Sequence, residues 1–142
     1  MKSTLVPLLF LMCLLISGCA EKVSDDAFVG TWELKGRSKF DGIRIKIEKH
    51  DDALTGRIVK LNNNKLVKMF ADSSDVWVSG IQRVSDFEFK LTERKLAADL
   101  FSLYGQPTSQ DFKVEFIDAN TIGLATEGAD PKNSPVLYKR VP

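Results

Sequence analysis

Apolar and polar residues alternate along three segments of the chain, and this period of two constrains the fold more than any other feature of the sequence. The apolar positions are Ile43, Ile45 and Ile47; Phe87, Phe89 and Leu91; and Phe112, Val114 and Phe116, and charged residues separate most of them. Successive side chains of a β-strand point to opposite faces of the sheet. Each segment therefore predicts a strand with one buried face and one solvent-exposed face.

Further strands are predicted on both sides of these three. They cover Phe28–Lys35, Leu54–Leu61, Lys65–Ala71, Val76–Val84, Thr121–Thr126 and Val136–Val141, and turn-forming residues such as Asp41-Gly42 and Asp51-Asp52 separate them. Many short strands at regular spacing indicate an antiparallel meander, closed as a barrel or folded as a sandwich. We expect residues 27–142 to form one small all-β domain, an antiparallel meander barrel of roughly eight to ten strands.

One segment departs from this period. Residues 93–104 place Leu96, Ala97, Leu100, Phe101, Leu103 and Tyr104 on one stripe at helical spacing. Thr92 is a suitable N-cap, Gly105 a suitable stop, and Pro107 follows. The pattern predicts one short amphipathic helix. Its apolar stripe could cover the barrel or serve as a docking face.

The N-terminal segment has the layout of an export signal. Lys2 provides a positive charge, residues 5–16 are apolar, and Ile16-Ser17-Gly18-Cys19 follows. This segment resembles a bacterial lipoprotein signal with its lipobox. The resemblance implies cleavage after residue 18, lipidation of Cys19 and a tether over residues 19–26. The alternative is an ordinary secretory signal in which Cys19 has no role.

The balance of charged residues and the number of cysteines limit the kinds of molecule and bond that we expect of the mature chain. Removal of residues 1–18 from the 142-residue chain leaves 124 residues with 19 basic and 19 acidic side chains. This balance argues against nucleic-acid binding and against a polybasic membrane patch. Cys19 would be the remaining cysteine, so no intrachain disulfide is expected. Ala20 follows Cys19, and among Gram-negative lipoproteins this implies the periplasmic side of the outer membrane rather than retention at the inner membrane.

The first predicted strand contains Gly30 and Trp32. This Gly-x-Trp pair resembles the opening of the calycins, which include the lipocalins and fatty-acid-binding proteins. The resemblance implies a barrel in which Trp32 plugs one end and a cation of the last strand, Arg140 or Lys139, packs over the indole. The fatty-acid-binding members insert a helical lid after the first strand and hold a carboxylate with an Arg-x-Tyr pair, and the sequence lacks both.

Catalytic chemistry is not indicated. His50 is the one histidine and lies beside Asp51 and Asp52 at a predicted hairpin tip, without a cysteine or serine nucleophile motif. Residues 72–75, Asp-Ser-Ser-Asp, lack the ordered ligand spacing of a calcium loop. We expect no enzyme activity, no metal and no cofactor.

Two function classes remain. The first is a non-catalytic binding module that holds a small apolar or amphipathic ligand inside the barrel. Its lining would consist of Ile43, Ile45, Phe87, Phe89, Val114 and Phe116, with Trp77 at the mouth. The second is a structural or interaction lipoprotein with a solid barrel, which contacts an envelope protein or inhibits a foreign enzyme. An interior void of about 300 Å³ or more would favour the carrier, and a packed interior with an exposed apolar patch would favour the interaction protein.

Overall fold

The computed structural model describes residues 21–142, so the predictions for residues 1–20, including Cys19, lie outside the described part of the chain. Eight antiparallel strands form a closed barrel in which each strand pairs with the next and the last pairs with the first. The strands are β1 (Gly30–Lys35), β2 (Arg44–His50), β3 (Ala53–Lys60), β4 (Val76–Arg83), β5 (Glu88–Arg94), β6 (Ser109–Asp118), β7 (Thr121–Ala125) and β8 (Leu137–Arg140). The predicted all-β antiparallel barrel is confirmed.

The interior of the barrel is filled by the alternating apolar side chains. Trp32, Leu34, Ile43, Ile45, Ile47, Val114, Ile122 and Tyr138 have no exposed surface, and they belong to one continuous core. Burial of a side chain of this size contributes about 1.5–3 kcal/mol. Residues 21–142 contain no cysteine, so this packed core rather than a disulfide stabilises the described part of the chain.

One end of the barrel is closed by Trp32 and Arg140, and we call it the closed end. The Arg140 guanidinium carbon lies 4.2 Å from the centroid of the indole ring, and its nitrogens donate to the carbonyls of Ala27 (2.7 Å) and Val29 (3.0 Å). Trp32 Nε1 donates to the Phe28 carbonyl at 2.8 Å. A Cβ at Gly30 would lie 2.6 Å from a nitrogen of Arg140, so this position has to be glycine for the guanidinium to reach the indole.

The N-terminal part of the domain is fastened to the same end. Val23 N donates to the Asp86 carbonyl at 3.0 Å, and Arg83 donates to the Val23 carbonyl. A 3₁₀ turn over Asp25–Phe28 follows and buries Phe28 against Phe89, with a ring-centroid distance of 4.7 Å. Residues 23–28 are thus packed against the closed end of the barrel.

A helix, α1 (Lys65–Phe70), occupies a segment for which the sequence predicted a strand. The Asn64 side chain caps it by accepting from the amides of Leu66 (2.9 Å) and Val67 (3.2 Å). Val67 and Ala71, four positions apart, face the core. The buried residues of this segment are spaced as in a helix and do not alternate as in a strand, so the segment forms a helix.

The second helix, α2 (Ala98–Leu103), is shorter than the predicted helix over residues 93–104. β5 continues to Arg94, where its register pairs Glu93 with Gln110, and Ala97 adopts a left-handed conformation with φ of 57° before the helix begins. The predicted stop is present, since Gly105 has φ of +67° and Gln106 N donates to the Phe101 carbonyl at 2.9 Å. The described residues therefore contain two short helices where the sequence predicted one.

Both helices lie at the end of the barrel opposite Trp32, which we call the open end. β1 leads from Gly30 at the closed end to Lys35, after which a 3₁₀ turn (Ser38–Phe40) crosses the open end. β5 likewise leads from the Asp86 turn to Lys95. At a rise of about 3.3 Å per residue, a strand of this length separates the two ends by about 20 Å.

We expect Arg140→Ala to destabilise the closed end strongly. Hydrogen bonds from a charged donor contribute about 1.5–3 kcal/mol, and a cation–π contact adds about 0.5–2 kcal/mol. The free energy of unfolding in urea should fall by at least about 2 kcal/mol. Lys139→Ala, at the exposed neighbouring cation, is the matched control and should change it by less than about 0.5 kcal/mol. Equal effects of the two substitutions would contradict this role of Arg140.

Candidate binding site at the open end

Most of the residues predicted to line a ligand cavity lie in the packed interior. Ile43, Ile45 and Val114 are completely buried, Phe89 is 1% exposed, and Phe116 packs edge-on against Trp32 with a ring-centroid distance of 6.1 Å. Of the four main clefts on residues 21–142, Ile43, Ile45, Val114 and Phe116 line none, and Phe89 lines one of about 290 Å³. These side chains pack against one another rather than around a void.

Phe87 does not face the interior, and its predicted inward orientation is wrong. β5 begins one residue later, at Glu88, and the Ser85 hydroxyl accepts from the Glu88 amide at 3.2 Å. Phe87 therefore belongs to the turn before the strand, and 40% of its surface is exposed. The alternating pattern in the sequence includes the residue before β5, but side chains alternate between the two faces of the sheet only within the strand itself.

Trp77 lies beneath the open end and is 4% exposed. Its Nε1 donates to the Tyr138 hydroxyl at 2.8 Å, and its ring meets Phe40 edge-on with a centroid distance of 5.5 Å. Trp77 also lines a cleft of about 270 Å³ beside α1. The indole is thus a core residue at the boundary between the interior and the open end.

A buried carboxylate organises this boundary. Glu93 is 2% exposed, and its two oxygens accept from the Tyr138 hydroxyl and from an Arg37 guanidinium nitrogen. Trp77, Tyr138, Glu93 and Arg37 form one continuous hydrogen-bonded network from the core to the surface. Every buried side-chain nitrogen and oxygen atom of the described residues has a partner. An unpaired buried charge would be strongly destabilising, so the four side chains depend on one another.

The network also fixes the segment that crosses the open end. The Arg37 guanidinium carbon lies 4.9 Å from the Phe112 ring centroid and 5.2 Å from that of Phe40. The Asn62 amide donates to the carbonyls of Lys39 (2.7 Å) and Asp41 (2.9 Å). The segment is therefore held from both sides, and it covers Trp77 and Tyr138.

An apolar cleft of about 400 Å³ lies outside this segment, between the two helices. We call it the open-end cleft. Its apolar lining consists of Phe40, Leu66, Phe70, Leu96, Ala97 and Phe101, and its charged lining consists of Arg37, Lys39 and Lys95. No carboxylate lines it. The cleft offers an apolar floor with a positive rim.

The two helices expose further apolar side chains around the cleft. Met69 of α1 is 75% exposed, Leu100 of α2 is 49% exposed, and Leu103 and Tyr104 are each about 80% exposed. We call this surface, Leu66, Met69, Phe70, Leu100, Phe101, Leu103 and Tyr104, the helix surface. The predicted amphipathic stripe thus remains largely accessible instead of sealing the barrel. Exposed apolar surface concentrated in this way is typical of an interaction site.

Other chemistry is limited in the described part of the chain. Among residues 21–142 no group of three or more His, Cys, Asp or Glu side chains is placed to hold a metal ion. His50 is exposed at the closed end and contacts Glu48 at 3.3 Å. The helices between residues 21 and 142 are too short or too polar to cross a bilayer.

Sequence reasoning did not identify Arg37, Glu93 or the Tyr138 hydroxyl as a unit. Glu93 is separated from Arg37 by 56 positions and from Tyr138 by 45. One signal was present: a glutamate placed inside an alternating strand pattern, between Leu91 and Lys95, is a polar residue at an inward position. Such a residue needs a buried partner.

The chain matches no protein-family profile, no curated protein and no solved structure.

We expect the Tyr138 hydroxyl to stabilise the fold up to high pH. Burial, and then the adjacent Glu93 carboxylate, raise the pKa of Tyr138 well above its ordinary value of 10.0. The folded state then holds this proton more tightly than the unfolded state. The contribution is complete below pH 10 and is lost as the pH rises toward the folded-state pKa.

Tyr138→Phe should lower the free energy of unfolding by about 1–3 kcal/mol at neutral pH, because it leaves the Trp77 N–H and one of the two Glu93 oxygens without a hydrogen-bond partner. The difference from the wild-type protein should shrink above about pH 10. Urea unfolding curves recorded at several pH values between about pH 8 and pH 11 measure this difference in the free energy of unfolding. Tyr104→Phe, at the exposed second tyrosine, is the control and should show no such convergence. A difference for Tyr138→Phe that stays constant over this range would contradict the prediction.

Proposed function

We propose that the protein is an envelope lipoprotein of calycin type that acts as a non-catalytic interaction module, anchored by lipidated Cys19 and binding through its open end. One observation carries the proposal. The interior is filled, whereas the helix surface and the open-end cleft leave apolar side chains accessible. A solid barrel of this kind binds at its surface. We propose no catalytic activity, no metal and no cofactor.

The position of the tether supports binding at the open end. Val23 is fastened at the closed end, and only residues 20–22 separate it from Cys19. At no more than about 3.6 Å per residue, the lipidated cysteine lies within about 15 Å of Val23. The closed end then faces the anchoring leaflet, and the open end lies about 20 Å farther from it. A surface so placed meets molecules of the periplasm rather than the lipids of its own leaflet.

A protein partner fits the helix surface better than a small molecule does. A ligand confined to the open-end cleft would leave Met69, Leu100 and Leu103 exposed, because they are not part of its lining. A protein could cover these side chains together with the cleft.

A small amphipathic ligand remains the second candidate. The cleft volume of about 400 Å³ and its positive rim favour it. Such a ligand would bind between the helices and not within the barrel. Native mass spectrometry of residues 21–142 purified from the envelope, with organic extraction, detects it if it is stoichiometric.

The anchor can be tested with the two cysteines of the chain. We expect Cys19→Ala to abolish incorporation of radiolabelled palmitate and to move the protein from the membrane fraction to the soluble fraction, because the acyl chains would be missing. Cys13→Ala is the matched control, since cleavage before Cys19 removes residue 13. Loss of the label from Cys13→Ala alone, or retention of the label by Cys19→Ala, would contradict this assignment.

The binding surface can be tested by photo-crosslinking in intact cells. A benzoylphenylalanine placed at Met69 or Leu103 should form adducts, because both positions are exposed on the helix surface. Val84 is the control, since it is 61% exposed on a turn at the closed end. Adducts from Val84 and none from either helix would refute binding through the open end.

A further inference from the structure

We propose that the open end binds an acidic protein segment that inserts one large apolar side chain into the open-end cleft, with Lys39 and Lys95 as its counter-ions. This inference rests on the proposed function and specifies the chemistry of the partner.

Three cations, Arg37, Lys39 and Lys95, line the open-end cleft. Arg37 is neutralised by Glu93, and Arg94 nearby contacts Asp99 at 3.2 Å. Lys39 and Lys95 have no carboxylate within ion-pair distance among residues 21–142. Their ammonium groups lie instead 5.7 Å from the Phe40 ring centroid and 5.2 Å from that of Phe101. Both charges are therefore available to a partner.

The surroundings of these two lysines reinforce the charge. On α1, Lys65 and Lys68 are exposed and likewise have no ion pair within the described part of the chain. Two ammonium groups without an ion pair thus line the cleft, and two more lie on the helix that contributes Leu66 and Phe70 to it. Association with an acidic segment would be accelerated by this field, whereas a basic segment would be repelled.

The floor of the cleft sets the second requirement. Leu66, Phe70 and Leu96 line the cleft together with the aromatic rings of Phe40 and Phe101, and the volume of about 400 Å³ accommodates one aromatic or large aliphatic side chain. Lys39 lies at the Phe40 ring and Lys95 at the Phe101 ring. A partner that inserts an apolar side chain into the cleft would therefore bring carboxylates on either side of that residue close to both ammonium groups. Apolar anchors surrounded by charged pairs are the usual arrangement of an interface.

The closed end carries carboxylates on its turns. Asp51 and Asp52 are exposed there without an ion pair among residues 21–142, whereas Asp25 pairs with Arg83 and Asp26 with Lys49. In the proposed orientation these turns face the leaflet. A second copy of this chain could offer these carboxylates only if it left its own anchor. A different protein is therefore the occupant to which we commit.

The test measures crosslinking from Met69 in the full-length lipoprotein in its native envelope, in three backgrounds. They are the wild-type protein, Lys39→Glu with Lys95→Glu, and Lys90→Glu with Lys139→Glu. The third makes the same change of net charge at exposed positions of the barrel wall. Reversal at the cleft should reduce the protein adduct by about tenfold or more, since like charges across an interface cost several kcal/mol. Reversal on the wall should change it by less than about twofold.

Peptide mapping of the adduct completes the test. The expected crosslinked segment contains several Asp or Glu residues and a large apolar residue. The milder pair Lys39→Gln with Lys95→Gln should give an intermediate yield. It keeps the comparison valid if the reversed protein does not reach its wild-type melting temperature.

The remaining outcomes separate this inference from the proposed function. A protein adduct that is unaffected by reversal or neutralisation at the cleft, or one that maps to a segment without acidic residues, overturns the acidic partner and leaves the open-end interaction standing. An adduct with lipid, or with a second copy of this chain, overturns the inference in favour of that occupant. No adduct from either helix overturns both.

Discussion

Closure of the barrel depends on the contact between Arg140 and Trp32. The guanidinium covers the indole and donates to two carbonyls of the chain that leads into β1, so it joins the last strand to the first at the point where the sheet must close. The cation needs the space that Gly30 leaves, and Trp32 needs the Phe28 carbonyl for its own N–H. The closed end is therefore one unit, and the short β8 is held in place by a side chain as well as by its ladder.

The closed end and the open end of the barrel differ in what they hold. The closed end fastens Val23 and the 3₁₀ turn that follows it, whereas the open end presents short helices on a firm base. That base is the network of Glu93, Arg37 and Tyr138, which supports the segment beneath the cleft. Between the two ends, the buried side chains form one continuous core. A rigid support with an accessible apolar rim suits recognition without large rearrangement.

Local patterns in the sequence were sufficient for much of this fold. Alternation predicted β2, β5 and β6, and the resemblance to the calycins implied that Arg140 or Lys139 packs over Trp32, where the structure places Arg140. The pattern was insufficient over residues 65–70, since one and a half helical turns give too few periods and only the Asn64 cap indicated a helix. The Glu93 network joins distant parts of the chain, so no local signal could pair its members. Exposure of the helix surface was equally unpredictable, because an apolar stripe does not show whether the domain or a partner covers it.

Arg140 binds main-chain carbonyls and Arg37 binds a side chain, and this difference determines which positions of the sequence can vary. Arg140 binds main-chain carbonyls at Ala27 and Val29, and a carbonyl is supplied by every amino acid, so these positions are free to vary. Arg37 binds the side chain of Glu93, which few substitutions can replace. Related chains should therefore keep Arg140, with Gly30 and Trp32, while positions 27 and 29 vary. Positions 37 and 93 should instead change as a pair, so that their covariation would mark chains that keep the same open end.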